Sequence, residues 1–160
     1  MVKRLAGEAQ AQDLQSDDMA VCLVDADFDV SKNDQLKKAD QEVSKIRKKG
    51  FNLQLIVSSP CFEIWYLCHF SSSTRGYNFN KEILKELENY IPGYSKSQDV
   101  YQEYLQDKVA LAVKNAKILE KHCIESGLRL HTVSFAPSTE VYKVFEGFLF
   151  KYIKEKDNGG

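Results

Sequence analysis

The chain has 160 residues, of which 43% are apolar and 28% charged, a composition typical of one globular domain. We expect that domain to span residues 1–155, followed by a solvated tail over residues 156–160. The 22 basic and 23 acidic residues give a net charge of -1, which excludes a histone-like protein that binds a polyanion through excess positive charge.

No apolar run is long enough to span a bilayer, and the amino terminus lacks the apolar segment of a signal peptide. The sequence therefore predicts a cytoplasmic protein without membrane contact. Its four cysteines form no CxxC pair and lie inside apolar stretches. This pattern favours reduced, buried thiols over disulfides or a structural zinc site.

The first half of the chain predicts two parallel strands joined by a helix. An apolar run at residues 19–24 has the pattern of a strand buried on both faces. A helix capped by Asn33 or Asp34 follows and ends at Gly50, and residues 51–57 return to strand character. A strand, helix, strand unit of this length predicts a right-handed crossover in a parallel sheet, and therefore the α/β class.

The remaining chain predicts mainly helices. Ser59 is the predicted cap, and Pro60 the first residue, of an almost wholly apolar helix that runs to Phe70. A last short strand is predicted over Leu128–Phe135. Further helical patterns, including a weak one at the amino terminus, cover residues 1–14, 79–90, 100–126 and 141–152.

Three aspartates, Asp25, Asp27 and Asp29, follow the first predicted strand. Open α/β sheets bind ligands beyond the carboxyl ends of their strands, and carboxylate oxygens suit Mg²⁺ or Mn²⁺. These aspartates are therefore candidate metal ligands. The alternative is that they only form the turn and cap the next helix, because aspartate is common in such loops and a DxD pattern has little specificity.

Glu63 is a second candidate, because it lies in the first turn of the helix after the second strand, at the same sheet edge as the aspartates. A buried carboxylate is costly unless it is paired or binds a metal. The alternative is a partly exposed glutamate that only assists the helix. His69, near the end of that helix, is better explained as a neutral core histidine that donates one hydrogen bond.

Basic residues give weak evidence for a nucleic-acid surface. The basic run at residues 45–49 is explained as charge at a helix C-terminus that complements the helix dipole. Arg75, Lys96 and Arg129 are scattered basic residues beside turns, and any of them could contribute to a nucleic-acid groove. The sequence contains none of the common nucleotide, dinucleotide, hydrolase or zincin motifs.

Residues 24–29 (VDADFD) and 59–70 (SPCFEIWYLCHF) resemble the RloB-like family, whose hallmark is the longer of these two stretches. Residues 92–96 (PGYSK), 116–117 (AK) and 137–141 (PSTEV) resemble later blocks of the same family. The resemblance runs from about residue 13 to residue 150. The long stretch is specific to the family, whereas DxD is not.

The resemblance implies a protein of anti-phage or restriction loci, often encoded beside an ATPase partner, with a fold related to the Toprim domain. Such a fold implies a mostly parallel sheet flanked by helices, and a divalent metal that promotes cleavage of DNA or RNA. On this resemblance, Asp25 and Asp27 match the metal-binding aspartates, Asp29 is a further ligand candidate, and Glu63 is the catalytic candidate.

The chain departs from the Toprim pattern at its start. A Toprim domain opens with a strand that leads to a glutamate, and Gly7-Glu8 is a poor match because no strand precedes it. We therefore expect the sheet to lack that first strand, which would leave an open edge where a second copy could pair. Two hypotheses follow: a nuclease that depends on Mg²⁺ or Mn²⁺, or a non-catalytic interaction subunit that works with an ATPase partner.

Overall fold

A computed structural model describes residues 18–149 of the chain. The helix predicted over residues 1–14, the Gly7-Glu8 pair and the tail lie outside this range. The helices are α1 (Lys32–Arg47), α2 (Glu63–Cys68), α3 (Asn80–Leu87), α4 (Val109–Glu125) and the short α5 (Tyr142–Val144). The strands are β1 (Ala20–Asp25), β2 (Leu53–Ser59) and β3 (Ser138–Thr139).

The three strands form one mixed sheet in the order β1-β2-β3. β1 and β2 run parallel along their length, with Ala20 opposite Leu53 and Asp25 opposite Ser58. The two-residue β3 pairs antiparallel with the end of β2, where Ser138 lies opposite Ser59. The α/β class is therefore confirmed, and the first two strands are parallel as predicted. The expectation of a mostly parallel sheet is corrected to a small mixed one.

Alternating side chains of β2 serve two cores, one on each face of the sheet. On one face, Leu53, Leu55 and Val57 pack with Leu36 and Val43 of α1. On the other face, Ile56 joins the larger core, which α2, α3, α4 and α5 help to form. Its fully buried members include Ile64, Cys68, Ile83, Leu87, Ala112 and Ala116.

β1 is not buried on both faces, contrary to the sequence prediction. Cys22 is buried against α1, but Leu23 on the opposite face is 51% exposed. The reason is position: within the described range β1 pairs only with β2, and the helices on the Leu23 side pack over β2. Strand composition alone does not distinguish an edge strand from a central one.

The strand predicted over Leu128–Phe135 is wrong, since this segment is a series of turns and β3 begins only at Ser138. His131 has a left-handed backbone with φ 55°, which interrupts an extended strand. The Thr132 hydroxyl donates to the carbonyl of Arg129 at 2.6 Å, a local bond that competes with pairing in a sheet.

Two predicted helices have different starts. Ser59 is the last residue of β2 rather than a helix cap, and α2 begins only at Glu63. The long helix predicted over residues 100–126 opens with a π turn at Tyr101–Leu105 and a 3₁₀ turn at Gln106–Lys108 before α4. Its predicted end is confirmed, because Gly127 follows α4 with a left-handed φ of 72°.

Candidate functional site

An open cleft of about 390 Å³ lies at the carboxyl ends of β1 and β2. Because the strands are parallel and Asp25 lies opposite Ser58, both deliver their last residues to one edge of the sheet. That edge is where ligands bind in open α/β folds. The cleft is lined by Leu23, Val24, Asp25, Asp27, Lys32, Ile56, Ser58 and Phe62.

Asp25 is half-buried in this cleft, and its pKa is raised. The largest cause is burial, which disfavours the charged carboxylate, and the negative charge of Glu63 adds to it. The Lys96 ammonium acts in the opposite direction, and Asp27 raises the pKa further. Three carboxylates, those of Asp25, Asp27 and Glu63, lie at this edge beside only two ammonium groups, those of Lys32 and Lys96, an arrangement that favours a cation.

Asp27 lies in the turn after β1 and has a left-handed backbone with φ 57°, which aspartate adopts more readily than most residues. Its N–H donates to the carbonyl of Pro60 at 2.8 Å, and the N–H of Ala26 donates to that of Ser58 at 2.9 Å. These bonds hold the turn against the end of β2. The Asp27 carboxylate lies 2.7 Å from Nζ of Lys32, the first residue of α1.

Glu63, the first residue of α2, is only 4% exposed, so the partly exposed alternative is wrong. Its Oε1 lies 3.0 Å from the Lys96 ammonium, while its Oε2 is buried and has no hydrogen-bond partner. Burial alone would raise the pKa of Glu63, but the Cys61 thiol and the Lys96 ammonium outweigh burial and lower it. Glu63 is therefore a charged carboxylate with one buried oxygen that has no hydrogen-bond partner.

The segment 91–97 brings two side chains to Glu63 that sequence reasoning did not connect with it. Lys96 forms the ion pair with Glu63, and Tyr94 packs edge-on against Tyr66 with ring centroids 5.9 Å apart. Burial and the neighbouring Glu63 charge raise the pKa of Tyr94, so its hydroxyl stays protonated at neutral pH. The available signal was the family block at residues 92–96, which contains both residues.

Asp29 is exposed and does not belong to the lining of the cleft. Its Oδ1 accepts the backbone N–H of Ser31 at 2.9 Å, a short-range turn that precedes α1. Hydrogen bonding to Ser31 lowers the pKa of Asp29. The structure thus brings Asp25, Asp27 and Glu63 to the carboxyl edge of the sheet and leaves Asp29 in the neighbouring turn.

The donor chemistry of this edge fits a hard divalent cation. Within residues 18–149, no three His, Cys, Asp or Glu residues converge into a complete metal-binding group. Mg²⁺ does not require one, because it is usually held by one or two carboxylates together with waters and substrate phosphates. Asp25 and Glu63 act on each other electrostatically, and the buried Oε2 of Glu63 has no partner. These two carboxylates, with Asp27 beside them, are the residues that would hold the cation.

Two other predictions concern residues outside the cleft. His69 is a buried core histidine whose Nδ1–H donates to the carbonyl of Trp65 at 2.9 Å, and burial lowers its pKa, so the neutral interpretation is confirmed. The basic run at residues 45–49 closes α1, which starts at the cleft with Lys32 and ends before β2 begins. The run therefore lies at the opposite edge of the sheet from the carboxylates.

A second polar cluster, which sequence reasoning missed, lies around Glu140, directly after β3. Glu140 is 4% exposed, and its Oε2 accepts the N–H of Val57 at 3.0 Å and lies 2.7 Å from Nε2 of His131. Nδ1 of His131 lies 2.6 Å from Asp40, and Lys143 pairs with the other Glu140 oxygen. The cluster connects α1, β2 and α5. Both carboxylate oxygens of Glu140 have partners.

The fold and the cleft define a small α/β domain with an acidic site at the carboxyl edge of its sheet. The sequence profile of RloB-like proteins matches residues 1–147, and the chain therefore belongs to the RloB-like family. No curated protein and no solved structure shows significant similarity to it. Within residues 18–149, no helix combines the length and apolar character that crossing a membrane requires.

Proposed function

We propose that this RloB-like chain is a Toprim-related, metal-dependent nuclease domain that cleaves phosphodiester bonds of DNA or RNA in anti-phage defence or restriction. Asp25, Asp27 and Glu63 would together hold Mg²⁺ or Mn²⁺, and Glu63 would also be the catalytic candidate. The observation that carries the proposal is the buried, unpartnered Oε2 of Glu63 at an edge where the pKa of Asp25 is raised by burial and by Glu63 itself.

The residues at the carboxyl edge of the sheet suit a phosphate substrate in two ways. The lowered pKa of Glu63 keeps it ionised at neutral pH, so that it can bind a cation or orient a water molecule. Lys32 and Lys96 supply positive charge beside the carboxylates, where a phosphodiester would need neutralisation. A bound divalent cation would supply Lewis-acid activation and a water of lowered pKa. The cleft is open to solvent, as access for a polymer requires.

The proposal is tested first by calorimetric titration with Mg²⁺ and Mn²⁺. The parent protein should bind the cation, and the double variant Asp25→Asn/Asp27→Asn should lose that binding. Labelled DNA and RNA should then be cleaved by the parent in a cation-dependent reaction that Asp25→Ala abolishes. A parent that binds neither cation, or cleavage that survives in both Asp25→Ala and Asp27→Ala, would refute the assignment.

A second candidate function is a non-catalytic interaction subunit that works with an ATPase partner. The ion pairs Lys96 with Glu63 and Lys32 with Asp27 support it, because they compensate two carboxylates at the carboxyl edge of the sheet by lysine alone. Association with the product of a neighbouring ATPase gene should then persist in Asp25→Asn/Asp27→Asn. If that association disappears when the aspartates are replaced, the second candidate fails.

A further inference from the structure

Two lysines pair through their ammonium groups with carboxylates at the carboxyl edge of the sheet. Lys96 Nζ lies 3.0 Å from Oε1 of Glu63, and Lys32 Nζ lies 2.7 Å from Oδ2 of Asp27. Both lysines come from segments outside the strands, namely the turn at 91–97 and the start of α1. Each ammonium group lies against a carboxylate that a divalent cation would use.

The Lys96 pair is unequal in burial. The Lys96 side chain is 56% exposed, whereas that of Glu63 is 6% exposed. The exposed Lys96 head group on its flexible stem regains its hydration when it leaves the pair, but the buried Glu63 charge then needs another cation to compensate it. The Glu63 carboxylate is fixed at the start of α2 and cannot follow Lys96. A divalent cation could therefore replace the Lys96 ammonium while the Glu63 carboxylate keeps its position.

The hydrogen bonding of the Glu63 carboxylate is also incomplete, unlike that of the Glu140 carboxylate. Lys96 occupies only Oε1 and leaves the buried Oε2 without a partner. At Glu140, by contrast, both oxygens are taken, by His131, Lys143 and the N–H of Val57. Buried polar atoms are normally satisfied, and an exception needs an explanation. A cation that takes both oxygens of Glu63 in place of one lysine would supply it.

We propose that Lys96 is an exchangeable counterion: it pairs with Glu63 in the metal-free protein, and it moves to a phosphate of the nucleic acid when a divalent cation binds Glu63. This inference rests on the proposed nuclease function. It assigns Lys96 a positioning role at the substrate phosphate and couples substrate binding to the presence of the metal. In the metal-free site, where Lys96 is engaged by Glu63 and the carboxylates outnumber the lysines, the nucleic acid would bind poorly.

The decisive variant is Lys96→Gln, because the two binding events should change in opposite directions. Without the competing ammonium, Mn²⁺ should bind about three- to tenfold more tightly in calorimetry. A fluorescein-labelled DNA duplex or RNA strand, measured by anisotropy with Ca²⁺ present, should bind about three- to tenfold more weakly, with a salt slope reduced by about one. Lys96→Arg should restore nucleic-acid binding.

The matched control is Lys48→Gln, which removes an exposed lysine after α1, at the other edge of the sheet. It should leave Mn²⁺ affinity unchanged. If Lys96 only stabilises the fold, Lys96→Gln will lower the unfolding midpoint and will not tighten Mn²⁺ binding, and this result would overturn the inference.

The parent protein gives a second test that needs no substitution. Lysine acetylation read by mass spectrometry should show Lys96 becoming several-fold more reactive when Mg²⁺ is added, while Lys48 stays constant. An unchanged Lys96 would overturn the exchange while leaving cation binding intact. Failure of the parent to bind Mg²⁺ or Mn²⁺ at all would instead overturn the proposed function, and the exchange with it, so the two failures are distinguishable.

Discussion

Two buried glutamates, Glu63 and Glu140, have the same low exposure of 4% but different surroundings. Glu140 accepts a backbone N–H and pairs with both His131 and Lys143, so that each of its oxygens has a partner. Glu63 pairs with Lys96 through one oxygen only. Equal burial therefore does not make the two carboxylates equivalent: only Glu63 keeps an oxygen without a hydrogen-bond partner, which is costly for a buried polar atom.

The largest effect on stability should come from Glu140→Ala. It removes the buried carboxylate that His131, Lys143 and the N–H of Val57 share, so that His131 and Lys143 each keep only their more exposed carboxylate partner, Asp40 and Glu120 respectively. We expect the free energy of unfolding in urea to fall by about 3–5 kcal/mol. A fall below about 1 kcal/mol would show that the cluster does not stabilise the fold, and the contrast with Glu63 would disappear.

His131→Asn should cause the next largest loss of stability, and the size of that loss should depend on pH. Burial would lower the pKa of His131, but hydrogen bonds and charge from Glu140, and then from Asp40, outweigh burial and raise it. The folded protein therefore binds this proton more tightly than the unfolded chain. The resulting stability is complete below the unfolded imidazole pKa of about 6.5 and is lost as the pH rises through the raised pKa.

Asparagine tolerates the left-handed backbone of residue 131 but carries no charge. The substitution therefore tests the contribution of the charged imidazole without straining the backbone. At pH 6, His131→Asn should cost about 2 kcal/mol in urea unfolding. The parent should lose stability between pH 6.5 and the alkaline range, and the variant should not. Parallel pH profiles for the two proteins would contradict the assignment of the charged imidazole.

Glu63→Gln should change stability much less than Glu140→Ala, by less than about 1 kcal/mol. Its partner Lys96 is half-exposed, and the loss of a charge relieves the repulsion from Asp25. Affinity for Mn²⁺ should nevertheless fall at least about tenfold in calorimetry. A strongly destabilised Glu63→Gln with unchanged cation binding would make Glu63 a structural residue like Glu140.

Lys32→Gln should have the smallest effect on folding. Both members of its pair with Asp27 are partly exposed, with side-chain accessibilities of 35% and 40%, and such pairs contribute little. The unfolding midpoint should stay within experimental error. A clear drop would mean that this ion pair, rather than the backbone bond from Asp27 to Pro60, holds the turn after β1 in place.

The sequence predicted the strands and helix that position the site, β1, α1 and β2, better than it predicted β3, the last strand of the sheet. The bounds of β1, α1 and β2 were predicted to within two or three residues, because their apolar runs, Gly50 and the basic helix end are local signals, although the cap of α1 is Ser31 rather than Asn33 or Asp34. The short β3 was misplaced, because a two-residue strand has no periodicity and depends on its pairing with Ser58 and Ser59 of β2.

The site was predictable in part for the same reason. Two parallel strands must end at one edge, so Asp25, Asp27 and Glu63 were expected together. Lys96 was named only as a scattered basic residue, because its partner Glu63 lies 33 positions earlier and only tertiary structure brings them together. His131 escaped prediction because its contacts with Asp40 and Glu140 follow from a turn where a strand was expected.

The four cysteines of the chain, Cys22, Cys61, Cys68 and Cys123, are all free and buried, as the sequence predicted. Burial raises the pKa of each thiol, so none is reactive while the domain is closed. The rate at which a thiol reagent labels each cysteine therefore measures how often its surroundings open. Cys61, two residues before Glu63, reports on the cleft, and Cys123 in α4 reports on the main core. The native protein thus contains its own probes of local unfolding.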